Sequence, residues 1–97
     1  MPVYLEQFAY LLEQAAPDAA QRFLDAVDRA SARIQEMPGV GGPKDLPNSR
    51  LRGLRSWPVP GFEAVRIYYL ETEDTIRVVR VLHGRRDVGR LLENEEG

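Results

Sequence analysis

The side chains in this sequence best equipped for chemistry are its arginines. Nine of them, Arg50, Arg52, Arg55, Arg66, Arg77, Arg80, Arg85, Arg86 and Arg90, fall between residues 50 and 92. Glu63, Glu71, Glu73, Asp74 and Asp87 oppose them, which leaves that stretch at +4. The flanks are acidic: residues 1 to 49 sum to −3, and the tail, through Glu93, Glu95 and Glu96, to −3 again. A guanidinium offers a planar fork that binds phosphate or carboxylate in bidentate fashion and keeps its charge at any physiological pH. The basic half therefore suits contact with phosphates or carboxylates, and a merely solvated charged face is the alternative reading of the same pattern.

His83 is the only side chain whose ordinary pKa lies near neutrality. It shares the parity of Val79 and Val81 in a β-branched run, so its expected role is structural. Glu63 reads as a solvated carboxylate beside a turn, and Tyr68 and Tyr69 as sheet packing. The chain has no cysteine, which excludes disulfides and zinc-thiolate sites, and one histidine cannot build a His-rich centre. No metal and no cofactor is expected.

Ninety-seven residues, 43% apolar and 29% charged, have the composition of one soluble globular domain spanning 1–97. Met1 to Glu6 lack a basic stretch followed by an apolar run, so no export is expected and the cytoplasm is the predicted location. Leu5, Phe8, Leu12 and Ala15 recur at helical spacing and predict a helix over about residues 3 to 15. Pro17-Asp18 opens a second helix, with Ala20, Phe23, Val27, Ala30, Ile34 and Met37 as its buried stripe and Pro38-Gly39 as its end. The short link at Ala16-Pro17 folds the two helices back as an antiparallel hairpin.

Gly39 to Ser49 is dense in Gly, Pro and Asn and reads as a loop, without the Gly-x-x-x-x-Gly-Lys-Ser/Thr spacing of a phosphate-binding loop. The period then changes to two. Strand one is Leu54 to Val59, with Pro58 demoting it to an edge or distorted position. Pro60-Gly61 fits the centre of a type II turn into strand two, Phe62 to Glu71. There Val65, Ile67 and Tyr69 share one face, and Ala64, Arg66, Tyr68 and Leu70 the other. Strand three, Thr75 to His83, puts Val79 and Val81 on one face and Ile76, Val78, Arg80 and Leu82 on the opposite one. A C-terminal segment follows Gly84, anchored by Leu91 and Leu92 and fraying beyond them. The fold class is thus α+β: a helical hairpin covering one face of a three-stranded antiparallel sheet, with Arg66 and Arg80 on the other face.

The order helix, helix, loop, Leu51-Arg52-Gly53-Leu54-Arg55, Pro58-Val59-Pro60-Gly61-Phe62, Arg66-Ile67-Tyr68-Tyr69 and Arg80-Val81-Leu82-His83-Gly84-Arg85-Arg86-Asp87 resembles the RelE/ParE family, toxins of type II toxin-antitoxin systems. The resemblance runs from about Leu5 to Asp87. It implies a small α+β toxin held inactive by a cognate antitoxin. Members usually begin with a β-strand that this sequence leaves no room for. The start is truncated or the fold is a trimmed variant, and an antitoxin segment could fill the resulting sheet edge.

The RelE branch cleaves ribosome-bound mRNA, which needs proton transfer and cations around the phosphorus. By resemblance Arg66 and Arg86 would supply charge there, with His83 as substitute base. Arg85 competes with Arg86 for the position after the last long strand. The lysines of that branch between the Leu-Arg-Gly motif and the arginine are missing, as is its C-terminal tyrosine. The ParE branch, which poisons DNA gyrase by binding it, resembles this chain more closely and needs no acid-base pair. That resemblance implies target contact through Arg80, Arg85, Arg86 and Arg90. It also implies antitoxin contact through Tyr4, Leu11 and Leu24 with Arg66 and Arg80. An inactive member that only binds antitoxin is the third possibility.

Overall fold

The computed structural model describes residues 10, 11, 14, 16, 18–84 and 88–93. Among them one long helix, α1 (Ala19–Glu36), is followed by four antiparallel strands, β1 (Gly42–Pro43), β2 (Arg55–Val59), β3 (Phe62–Glu71) and β4 (Ile76–His83), in spatial order β1-β2-β3-β4. A single helical turn, α2 (Val88–Leu91), closes the described part. The architecture is α+β as expected. The predicted helix over 3 to 15, and with it the hairpin, lies largely outside the described residues, although Tyr10, Leu11 and Gln14 are helical.

The inner face of α1 carries Phe23, Ala26, Ala30 and Ile34, all buried. The two alanines let its backbone approach the sheet closely, while Phe23 and Ile34 reach into it. They meet Val59, Val65, Ile67, Tyr69 and Val81 in the main core, and Phe23 packs edge-on against Phe62 with ring centroids 5.2 Å apart. Fully burying a side chain such as Phe23 is worth roughly 1.5–3 kcal/mol. Met37, expected to end the buried stripe, is instead 50% exposed. Its backbone at φ −138°, ψ 83° has already left the helix, and a 3-10 turn over Pro38–Val40 carries the chain away.

A fourth strand lies within the stretch expected to be loop. Gly42 pairs with Ser56 and Pro43 with Arg55, and the Lys44 N–H continues the ladder to Leu54 O at 2.8 Å. Gly and Pro are poor strand formers, so the composition concealed it. In this register the Pro43 nitrogen points away from β2, where no donor is needed, and Pro43 leaves the outer edge without an N–H for another chain to pair with. Pro58 lies past the end of β1 on the same side. Its missing donor faces no partner strand, and the β2–β3 register shifts between Pro58 and Val59. Of the two expected positions, distorted is the correct one. Gly61 takes φ 82°, as the third position of a type II turn requires.

The alternation predicted for the last strand holds only in part. Tyr68 pairs with Arg80 but Tyr69 with Val78, so Val79 is an extra residue opposite no single partner, a β-bulge. The bulge reverses the parity of everything before it. Val79 packs on the far side of the sheet with Leu82, Tyr68 and Leu70, and Ile76 packs on the helix side, the reverse of the expectation.

That far side has its own core of Leu51, Leu54, Tyr68, Leu70 and Leu92. A 3-10 turn, Ser49–Leu51, supplies Leu51, and the chain after α2 supplies Leu92. Asn48 donates from Nδ2 to Leu92 O at 3.0 Å and fastens the two segments together. Leu91, expected as a second anchor, is 56% exposed. Of the tail expected to fray beyond Leu92, Glu93 bonds through its N–H to Arg90 O at 3.3 Å, and residues 94–97 lie outside those described.

Candidate functional site

Arg66 stands midway along β3 with its alternation fixed by buried neighbours Val65 and Ile67, which face α1, so its own side chain faces the opposite way. Nε donates to Ser56 Oγ at 3.1 Å and Nη2 to Ser56 O at 3.4 Å. Ser56 is 2% exposed and sits opposite Tyr68 in the ladder, itself almost wholly buried. The small serine leaves room for the guanidinium to lie against β2.

Lys44 enters the same neighbourhood from the end of β1. Gly42, Pro43, Lys44, Ser56, Arg66 and Tyr68 together line an open pocket of about 290 Å³. Among the described residues, no carboxylate forms an ion pair with Lys44 or Arg66. An ammonium and a guanidinium beside hydroxyl groups are suited to hold an oxyanion.

The segment that presents Lys44 is held by β2 and β3. The Tyr69 hydroxyl donates to Pro38 O at 2.6 Å and accepts from Gly41 N–H at 2.9 Å. Arg55 Nη1 donates to Gly41 O at 2.7 Å and to Gly39 O at 3.4 Å. Tyr69 packs in the sheet as expected, and its hydroxyl in addition pins the loop. Arg55 does the same from the neighbouring strand.

The other expected residues disperse. Arg80 pairs with Tyr68 and Arg77 with Leu70, which puts both on the Arg66 face. Arg90 is exposed on α2, whereas Arg85 and Arg86 lie outside the described residues. His83 pairs with Val65 and belongs to the helix side, at the exposed end of β4. The sheet therefore separates His83 from Arg66, and the two do not converge on one phosphate. Glu63 accepts from Gly61 N–H through Oε2 at 2.7 Å and braces the turn.

Of the expected antitoxin anchors, Leu11 is 63% exposed, Leu24 is partly exposed while packing against the main core, and Tyr4 lies outside the described residues. Lys44 was not anticipated. It is the only lysine in the chain, and that singularity was the one signal that could have drawn notice to it.

Among the described residues no group of three or more His, Asp or Glu side chains could hold a metal, and no helix is long and apolar enough to cross a membrane. A family model described as the ParE toxin of the type II toxin-antitoxin system, parDE, matches residues 4–88. No curated protein and no solved structure matches the chain.

Proposed function

Because the chain belongs to the ParE toxin family of type II toxin-antitoxin systems, we propose that it arrests growth by binding DNA gyrase through its arginine-rich face, and that its antitoxin releases gyrase by masking the toxin. The observation that carries this reading is the distribution of chemistry across the sheet. Arg66, Arg77 and Arg80 share the face opposite α1, while His83 stands on the other side. A binding toxin needs a charged surface and no proton-transfer pair, and among the described residues the arginines gather on one face with His83 on the other. Arg80 and Arg90, with Arg85 and Arg86 between them in sequence, form the proposed contact region. Charge reversal at Arg80 and Arg90 should weaken inhibition of supercoiling by about tenfold or more, since rim and core charges at interfaces carry both steering and contact energy. Undiminished inhibition by the doubly reversed protein would remove the assignment.

One observation favours a second reading. Lys44 lines the same pocket as Arg66, although it precedes the Leu-Arg-Gly motif in sequence, so two cations suited to phosphate stabilisation stand together. In that reading Arg66 and Arg86 would hold the phosphate of ribosome-bound mRNA, and His83 would have no part. Cleaved mRNA in arrested cells, with supercoiling unaffected, is the outcome that selects it.

A further inference from the structure

We propose that the pocket between Lys44 and Arg66 is a carboxylate socket that takes one acidic side chain of the antitoxin. The inference rests on membership of a toxin-antitoxin family and does not depend on gyrase being the target.

Arg66 is held from behind. Its Nε bond to Ser56 Oγ fixes the guanidinium plane, and among the described residues no side-chain bond engages Nη1. Little ordering is left for a ligand to impose, which favours binding at low cost in side-chain freedom. Lys44 is exposed at the pocket rim and adds a second cation, while Tyr69 and Arg55 hold the segment from which it projects. Fork and point charge thus converge on one space of about 290 Å³, near the lower end of the roughly 300–1,000 Å³ typical of ligand pockets.

The aromatic residues favour a peptide over nucleic acid. Recognition of single-stranded RNA leans on exposed aromatic faces for stacking. The only aromatic in the lining, Tyr68, is almost wholly buried, and Trp57 packs towards the helix-side core. Pro43 leaves the edge beside the pocket without one backbone donor, so a peptide there is held through side chains more than by strand addition.

The test is the affinity of the full-length protein for its full-length cognate antitoxin, compared with Arg66→Met and Lys44→Met at one fixed salt concentration. Each variant should raise Kd by about tenfold or more. Neutralising the antitoxin's Asp and Glu residues one at a time should identify one whose loss has no further effect in the Arg66→Met background. Lys44 is exposed and makes no side-chain hydrogen bond among the described residues, so its variant remains informative if Arg66→Met proves poorly folded.

Affinities within about twofold of the parent for both variants would overturn the proposal. So would kept antitoxin affinity combined with lost binding of a labelled single-stranded RNA oligonucleotide, which would give the pocket to nucleic acid. A protein without effect on gyrase would leave every one of these readouts intact.

Discussion

One hydroxyl does much to set where Lys44 stands. Tyr69 Oη bonds residues 31 and 28 positions earlier in the chain, Pro38 and Gly41, and draws the loop against β2 and β3. A Cβ at Gly41 would sit 2.5 Å from that oxygen and 2.8 Å from Ser56 O, closer than real side chains come, although the backbone itself is unstrained there. Gly41→Ala should therefore cost about 1–3 kcal/mol in urea unfolding, and a value near zero would mean the loop is not clamped. Tyr69→Phe should cost about 1–3 kcal/mol by leaving buried polar groups unmatched. The two losses should fall short of additive in the double variant, because they strike one contact. The ring of Tyr69 was legible in the sequence through its alternation with Val65 and Ile67. The hydroxyl was not, because only the folded chain brings such distant partners to it. Lys44 escaped for the same reason, lying 22 residues from Arg66 in sequence and on the other side of β2 in space.

The elements show why periodicity was a good guide to the sheet and an incomplete one. Alternation placed Arg66, Tyr68 and Leu70 together correctly, and β3 has its expected ends. In β4 one extra residue undid the pattern, and nothing in a run of Ile, Val and Arg marks which of them will bulge. Adjacent valines offer a direct check. Val79→Asp should destabilise by about 1–3 kcal/mol, because it carries a charge into the far-side core, whereas Val78→Asp should stay within roughly 0.5 kcal/mol. Unfolding in denaturant reads both, and the reverse order would mean that regular alternation runs through β4. The leucine pair after α2 gives a similar contrast. Leu92→Ala should cost about 2–5 kcal/mol and Leu91→Ala little, since only Leu92 is enclosed by Leu51, Leu54 and Tyr68. The two-residue β1 was illegible because its residues, Gly42 and Pro43, argue locally against a strand and are held there by β2 and Tyr69.

At the scale of the whole molecule, charge is sorted in sequence and sorted again across the sheet. The arginines of residues 50 to 92 that alternate outward on β3 and β4 gather on the face away from α1, joined by Lys44. Association with an acidic antitoxin segment should therefore be fast and salt-sensitive, its on-rate falling about tenfold or more between 50 mM and 500 mM salt in stopped-flow mixing. A rate independent of salt would count against an arginine-led encounter. Family membership was legible from the ordered motifs between Leu5 and Asp87, in agreement with the match over residues 4–88. The target is a separate matter, since a surface that binds gyrase and one that binds RNA can be built from the same arginines on the same sheet. The measurement that bears on it most directly is DNA supercoiling by purified gyrase across a concentration series of the folded, antitoxin-free protein. The account predicts lost supercoiling with accumulation of cleaved DNA, reversed by adding antitoxin. Supercoiling that continues unaltered at every concentration would contradict it.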